Sequence, residues 1–323
     1  MSEGRPPGGG ERWPTVSVVI PTKNAGELFR DVLARLRAQI YPGPIDILVI
    51  DSGSTDRTVD LAREFGAKVE SIDPEDFNHG LTRNAGIEQT AGEMVVLITQ
   101  DALPADDKLI QSFARAYADP LVASVYARQV PRPGADVLTV RHLNRWLTGR
   151  VARDVKQITD RAAFDSLRPY DRYVFCNFDN VCSSVRRTAW RTIPFRASDF
   201  GEDLDWSKRI LEAGLKIVYE PAAAVIHSHR RPARYEYQRT YMCHRKLYEL
   251  FGLATVPSRR HLARFLIQAI LKDVAYVARR EPDFGTKVRL MARVPALAAA
   301  SVLGQYRGAR DERLGVGKKQ VGV

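Results

Sequence analysis

Several short polar clusters in this chain combine residue types and spacings that support chemistry. In Asp51-Ser52-Gly53-Ser54-Thr55-Asp56 a carboxylate directly follows the apolar run at 45–50. A carboxylate there can accept hydrogen bonds from a base or ribose, and Gly53 permits close backbone approach. The same residues also make turns and helix caps, so the cluster alone does not decide. In Phe77-Asn78-His79-Gly80-Leu81-Thr82-Arg83-Asn84 a polar loop enters a helix, and Arg83 has the charge and fork geometry to pair with diphosphate oxygens. Thr99-Gln100-Asp101-Ala102 follows the run at 94–98, where an Asp can hold a divalent cation. Gly201-Glu202-Asp203-Leu204-Asp205-Trp206 places acidic residues at a helix start, either as a cap on the helix dipole or as a general base. In His227-Ser228-His229 an extended backbone would point the two imidazoles to opposite sides, which argues against joint chelation of one ion.

These clusters need a scaffold, and the first hundred residues supply its pattern. Apolar, β-branched runs at 16–20, 45–50, 67–72 and 94–99 alternate with helical spacing at 27–39, 54–65, 82–89 and 106–117, and a further strand is read at 121–128. Alternation of this kind with near-continuous apolar strands predicts an α/β fold, a parallel sheet covered by helices on both faces. Ligands in such sheets sit beyond the carboxyl ends of the strands, where Thr22-Lys23-Asn24, Asp51 to Ser54, and Gln100-Asp101 would converge. After an irregular stretch at 135–173, strands are read at 179–184, 216–219 and 224–227, with a helix at 202–213 and a long one at 258–280.

Composition narrows the function classes. The 323 residues carry a net charge of +11. From Arg230 onward there are 20 Lys/Arg against 7 Asp/Glu, so the excess sits in the last third. A basic surface of this kind suits anionic lipid or nucleic acid. No helix-turn-helix, zinc-finger or RNA-recognition signature accompanies it, so no nucleic-acid partner is expected. Three cysteines without a CxxC pair fit a reducing cytoplasm, and no apolar run is long enough to cross a bilayer. The first strand is followed by Pro21-Thr22-Lys23-Asn24-Ala25-Gly26 instead of GxGxxG, which disfavours a dinucleotide oxidoreductase.

With Val16-Ser17-Val18-Val19-Ile20-Pro21-Thr22-Lys23-Asn24 added, the order of the clusters resembles the glycosyltransferases of family 2 across residues 16–229. The resemblance implies the GT-A fold, a Rossmann-like and mostly parallel sheet, followed here by a basic helical C-terminal extension. It implies a lead-in at 1–14, a catalytic domain at 15–230 (nucleotide half 15–130, acceptor half 131–230) and the extension at 231–323. Pro21, Thr22, Asn24, Asp51, Ser52 and Gly53 would line the nucleotide pocket, with Arg83, Asn84, Gln100 and Asp101 as further donor contacts. The segments Phe77–Gly86 and Thr99–Pro104 resemble the rhamnosyltransferase branch, which implies an inverting transfer of L-rhamnose from dTDP-L-rhamnose. Asp203 would be the base and Glu202 an acceptor-binding neighbour. The familiar Asp-x-Asp has Thr99 at its first position, leaving Asp101 as the carboxylate ligand of a Mn²⁺ or Mg²⁺ ion that His227 or His229 would complete. The acceptor would be a glycan or polyprenyl-linked oligosaccharide of the bacterial cell surface. The enzyme would be cytoplasmic and peripheral on the inner membrane face, its basic helices on anionic headgroups. The same fold with a UDP- or GDP-hexose donor is the alternative.

Overall fold

The computed structural model describes residues 12–229 and 232–316. Most of the lead-in expected at 1–14 therefore lies outside the described residues. The first half runs β1 (Val16–Thr22), α1 (Leu28–Arg37), β2 (Ile45–Asp51), α2 (Thr58–Glu64), β3 (Lys68–Ser71), α3 (His79–Glu88), β4 (Met94–Ile98), β5 (Leu103–Pro104), α4 (Leu109–Ala116) and β6 (Val122–Val130). It continues through α5 (Val137–Arg145), β7 (Asp154–Lys156), α6 (Arg161–Ser166), α7 (Pro169–Phe175), β8 (Cys182–Arg186), α8 (Arg187–Thr192), α9 (Glu202–Glu212) and β9 (Lys216–Ile226). Three long helices close the chain: α10 (Ala233–Phe251), α11 (Arg259–Arg280) and α12 (Phe284–Arg313).

The strands form one sheet in the order β3-β2-β1-β4-β8-β6-β9-β5, with β7 on β9. The parallel arrangement expected from the β-α repeat holds for β1 to β4. Beyond β4 the sheet is mixed, because β8 runs antiparallel to both β4 and β6 while β6 and β9 are parallel. The strands read at 216–219 and 224–227 are one strand. Ala127 pairs with Glu220 and Arg128 with Ala224, so Pro221-Ala222-Ala223 bulges out where proline has no N–H to offer the ladder.

Alternate residues of each buried strand serve opposite cores. Val16, Val18 and Ile20 join Phe29, Leu33 and Leu36 of α1 and Phe113 of α4 on one face. Val19, Leu48 and Ile50 join Ile87 of α3, Trp206 and Ile210 of α9, and Leu247 and Phe251 of α10 on the other. Thus α10, at the head of the basic region, completes a core of the sheet. Helix α12 lies against α10 through small residues: a Cβ at Gly304 would stand 2.9 Å from the Tyr237 carbonyl. Arg245 and Glu312 lock the pair with an ion pair at 2.8 Å.

The closest approach that matters for the rim is that of α3 on β1 and β2. A Cβ on Gly86 would overlap Val19 and stand 2.8 Å from Ile50 Cδ1. Both are fully buried, so neither can yield without moving a strand. Alanine would gain up to about 1 kcal/mol in helix propensity but lose about 1–3 kcal/mol to overpacking. Gly86→Ala should therefore lower Tm by a few degrees in a thermal melt; an equal or higher Tm would show that α3 has room to move.

Candidate active site

The antiparallel course of β8 decides what meets at the sheet rim. The carboxyl ends of β1, β2, β4, β6 and β9 point one way, and the loop entering β8 from the opposite direction opens on the same edge. Asp101, Gln129, Asp179, Asn180 and His227 are thereby gathered from separate parts of the chain.

Asp101, His227 and His229 form a cluster that could hold a metal ion. Asp101 Oδ2 lies 3.6 Å from His227 Nε2 and 3.3 Å from His229 Nε2, and the two imidazole nitrogens are 2.9 Å apart. Adjacent ligands on one small divalent ion, with bonds of about 2.0–2.2 Å, stand about 3 Å apart, so the donor set fits such an ion. The expectation that the two histidines diverge is overturned. Strand β9 ends at Ile226, before His227, so the period-two alternation does not reach the pair. Burial alone would raise the Asp101 pKa, but the His227 hydrogen bond and the charges of His227 and His229 outweigh it and bring it down to about 2. Asp101 is therefore an ionised ligand at neutral pH.

A second set of groups stands behind the triad, and sequence reading missed it. The amide of Gln129, at the end of β6, donates from Nε2 to Asp179 Oδ2 at 2.7 Å. Its Oε1 can accept from His227 Nδ1–H at 3.0 Å, an arrangement that would turn Nε2 toward a bound cation. Arg132 donates to the carbonyls of Ser228 and Asp101 and clips the two ligand loops together. Gln129 stands one residue past the strand read at 121–128, and nothing in the sequence marked it or Asp179 as a partner of the histidines.

The acidic pair at the start of α9 divides into two environments. Gly201 precedes it in a left-handed conformation at φ 70°, where L side chains are strained, and a Cβ there would stand 2.9 Å from Lys246 Cγ. Glu202 is buried and forms an ion pair with Arg83 at 2.8 Å, with Asn180 Nδ2 at 3.3 Å. Burial opposes its charge, but Arg83, His79 and Asn180 hold its pKa below the usual value. Asp203 is half-buried and accepts from Leu204 N–H at 2.7 Å and Asn180 N–H at 3.3 Å. Burial, then the negative charge of Glu202 and of Asp179, pushes its pKa up to about 8. Two neighbouring carboxyls are thus driven apart, one anionic and one proton-holding.

Several residues expected to face the ligand are buried or engaged within the protein. Asn78 caps α3 through Gly80 N–H and Leu81 N–H, starting the helix at His79 and carrying Arg83 inward to Glu202. Arg83 is only 5% exposed, where a surface residue was expected, and Glu202 is almost equally enclosed. Asn84 binds Phe195 and the Trp190 indole and holds that segment in place of a ligand. Asp51, instead of presenting free oxygens to a base or ribose, accepts from the Thr22 and Ser54 hydroxyls and from Gly53 and Ser54 N–H. With Thr22 and Ser52 it is buried and shapes the turn. Pro21 is half-buried in β1, while Asn24 and Gly53 are exposed on the rim. The half-buried Gln100 joins them by pairing its amide with the Lys23 backbone at 2.8 and 3.2 Å.

Comparison with known proteins identifies the family. The family model described as Glycosyl transferase family 2 matches residues 17–178. The O-antigen chain rhamnosyltransferase RfbN of Salmonella typhimurium is 33% identical over 235 residues, covering 70% of either chain. The chain belongs to glycosyl transferase family 2. It is a glycosyltransferase. The O-antigen chain rhamnosyltransferase WbaN of Salmonella anatum is 29% identical over 236 residues, covering 71% of this enzyme and 70% of its own length. Among solved structures, glucosyl-3-phosphoglycerate synthase of Mycobacterium tuberculosis, in complex with Mg²⁺ and uridine diphosphate, superposes with a TM-score of 0.54 at 21% identity. The match covers 76% of this chain and 81% of that one, and it shows the shared GT-A fold.

The Gln129 bridge makes a direct prediction. Gln129→Met keeps the side-chain length but removes both hydrogen bonds, so the enzyme should bind Mn²⁺ about 10–100-fold more weakly by calorimetry. Undiminished affinity would mean that His227 needs no outer partner.

Proposed function

We propose that the enzyme transfers L-rhamnose from dTDP-L-rhamnose, with inversion, to a glycan acceptor borne on a polyprenyl lipid, during cell-surface polysaccharide synthesis. The observation that carries the chemistry is the placement of Asp203, a raised carboxyl, on the same rim as the Asp101–His227–His229 triad. The choice of sugar is supported by the two rhamnosyltransferase relatives.

Asp101, His227 and His229 would hold a Mn²⁺ or Mg²⁺ ion, which when bound neutralises charge on the diphosphate leaving group. The loops carrying Pro21, Thr22, Asn24, Asp51, Ser52, Gly53 and Gln100 form the nucleotide side of the rim, with Asn24, Gly53 and Gln100 as the groups open to a ligand. Ionised Asp203 takes the proton from the acceptor hydroxyl as that oxygen forms its bond to the anomeric carbon. The bond from that carbon to the phosphate oxygen breaks, and the nucleoside diphosphate departs from the opposite face. Glu202 and Arg83 act behind Asp203, setting its position and its affinity for the proton. A lipid-borne acceptor would place the enzyme at the inner face of the cytoplasmic membrane.

Calorimetric titration with dTDP, UDP and GDP, with and without Mn²⁺, tests this reading. The expected result is dTDP binding that requires Mn²⁺ and weakens about tenfold or more in Asp101→Ala. Preference for UDP or GDP would overturn the rhamnose assignment and keep the enzyme class. Failure to bind any of the three would overturn the proposed donor site.

A further inference from the structure

Of the 22 described residues of α11, Val277 alone is buried. That is unusual for a helix carrying Leu262, Phe265, Leu266, Ile267, Ile270, Leu271 and Val274, since an apolar stripe ordinarily packs on its own protein. One side of α11 does pack. Val277, with Ile270 and Val274, meets Leu138 of α5 and Leu290 and Val294 of α12. Arg141 of α5 pins the same side, pairing with Asp273 at 2.7 Å and lying over the Tyr276 ring. The register of the outward side is therefore fixed.

Arg260, Arg264, Ile267 and Leu271 form that outward side, spaced four, three and four residues apart, and all four are exposed. Ile267 is 58% and Leu271 64% exposed. At the start of α12 a second pair is exposed, Phe284 at 77% and Val288 at 50%, again four residues apart. Scattered apolar residues on a surface are ordinary; two exposed pairs at i, i+4 spacing on neighbouring helices are less so. Their surroundings are cationic. Residues 259–300 hold nine Lys/Arg against three Asp/Glu, and one of those acids, Asp273, is already paired with Arg141. Among the described residues no helix is long and apolar enough to cross a membrane.

From this placement we propose that the outward face of α11 and the start of α12 form an interfacial docking surface for an anionic lipid bilayer. Ile267, Leu271, Phe284 and Val288 enter the acyl boundary, and Arg260 and Arg264 meet lipid phosphates. Apolar anchors ringed by arginines match both layers of such a surface: the side chains lose water contact in the acyl boundary while each cation gains an anionic headgroup. A second copy of the chain fits less well, because apposing two such faces would bring like charges together. The inference rests on these two helices and is independent of the donor and the acceptor sugar.

Flotation of the full chain with vesicles tests it. One preparation is phosphatidylcholine alone, the other equal parts phosphatidylcholine and phosphatidylglycerol. The wild type should float with the mixed vesicles and be released by salt. Ile267→Asp with Leu271→Asp should weaken that binding about tenfold or more while melting and dTDP titration stay unchanged, since both residues are exposed and neither belongs to the rim loops. Arg260→Glu with Arg264→Glu should remove most of the preference for the mixed vesicles. Equal flotation of wild type and the Ile267/Leu271 variant would overturn the proposal. So would a concentration-dependent dimer in sedimentation that this variant abolishes, because the face would then belong to a second copy.

Discussion

The buried ion pair between Arg83 and Glu202 is the interaction on which the rest of the rim depends. It joins the second turn of α3 to the first residue of α9, across 119 positions of sequence, at 2.8 Å. Such a pair is a poor source of stability. Removing two charges from water costs several kcal/mol per ion, and Arg83 Nε has no hydrogen-bond partner among the described groups. Losing one partner is far worse, about 3–5 kcal/mol, because the other charge is then stranded. What the pair contributes is position and field. It holds Glu202 anionic one residue before Asp203, and that fixed negative charge adds to burial in raising the Asp203 pKa.

From that pair a continuous set of contacts leads to the cation triad. Asn180 donates through its side chain to Glu202 and through its backbone to Asp203. Asp179, the preceding residue, accepts from Gln129, and Gln129 accepts from His227. Asp203 and the Asp101–His227–His229 cluster are thus parts of one polar network built on the sheet edge. Within it the carboxyls differ in ionisation: Asp101 is held low by histidines, Asp203 high by burial and then by its carboxylate neighbours. Driving the pKa values of neighbouring carboxyls apart is how one fold keeps a ligand and a base distinct at a single pH.

Much of this was legible in the sequence, for physical reasons that also mark the limits. Strands β1, β2 and β4 are buried on both faces, so their apolar runs are unbroken, and the Asp101 and Asp203 clusters stand at the ends of recognisable elements. The reversal of β8 was not legible: a short apolar run carries no sign of its direction, and so Asp179 and Asn180 could not be placed at the rim. Arg83 shows the opposite difficulty. An arginine at a loop-to-helix junction reads as exposed, and its buried partner lies too far along the chain for local pattern to reveal. The two histidines were misjudged because alternation was carried one residue past the end of β9. In α11 the apolar spacing was visible, but only the packed structure distinguishes the side that meets α5 and α12 from the side left exposed.

The pH dependence of kcat/KM for sugar transfer, compared between the wild type and Glu202→Gln, tests the central claim most directly. Asp203 must lose its proton to act as base, and its pKa is raised, so the wild-type rate should climb with pH with a midpoint near about 8. Glu202→Gln removes the neighbouring negative charge and leaves the Arg83 charge unbalanced. Both changes favour the Asp203 anion, so the midpoint should move to lower pH. A wild-type midpoint in the ordinary carboxylate range, or one that stays in place or rises in Glu202→Gln, would contradict the assignment of Asp203 as a base tuned by the buried pair.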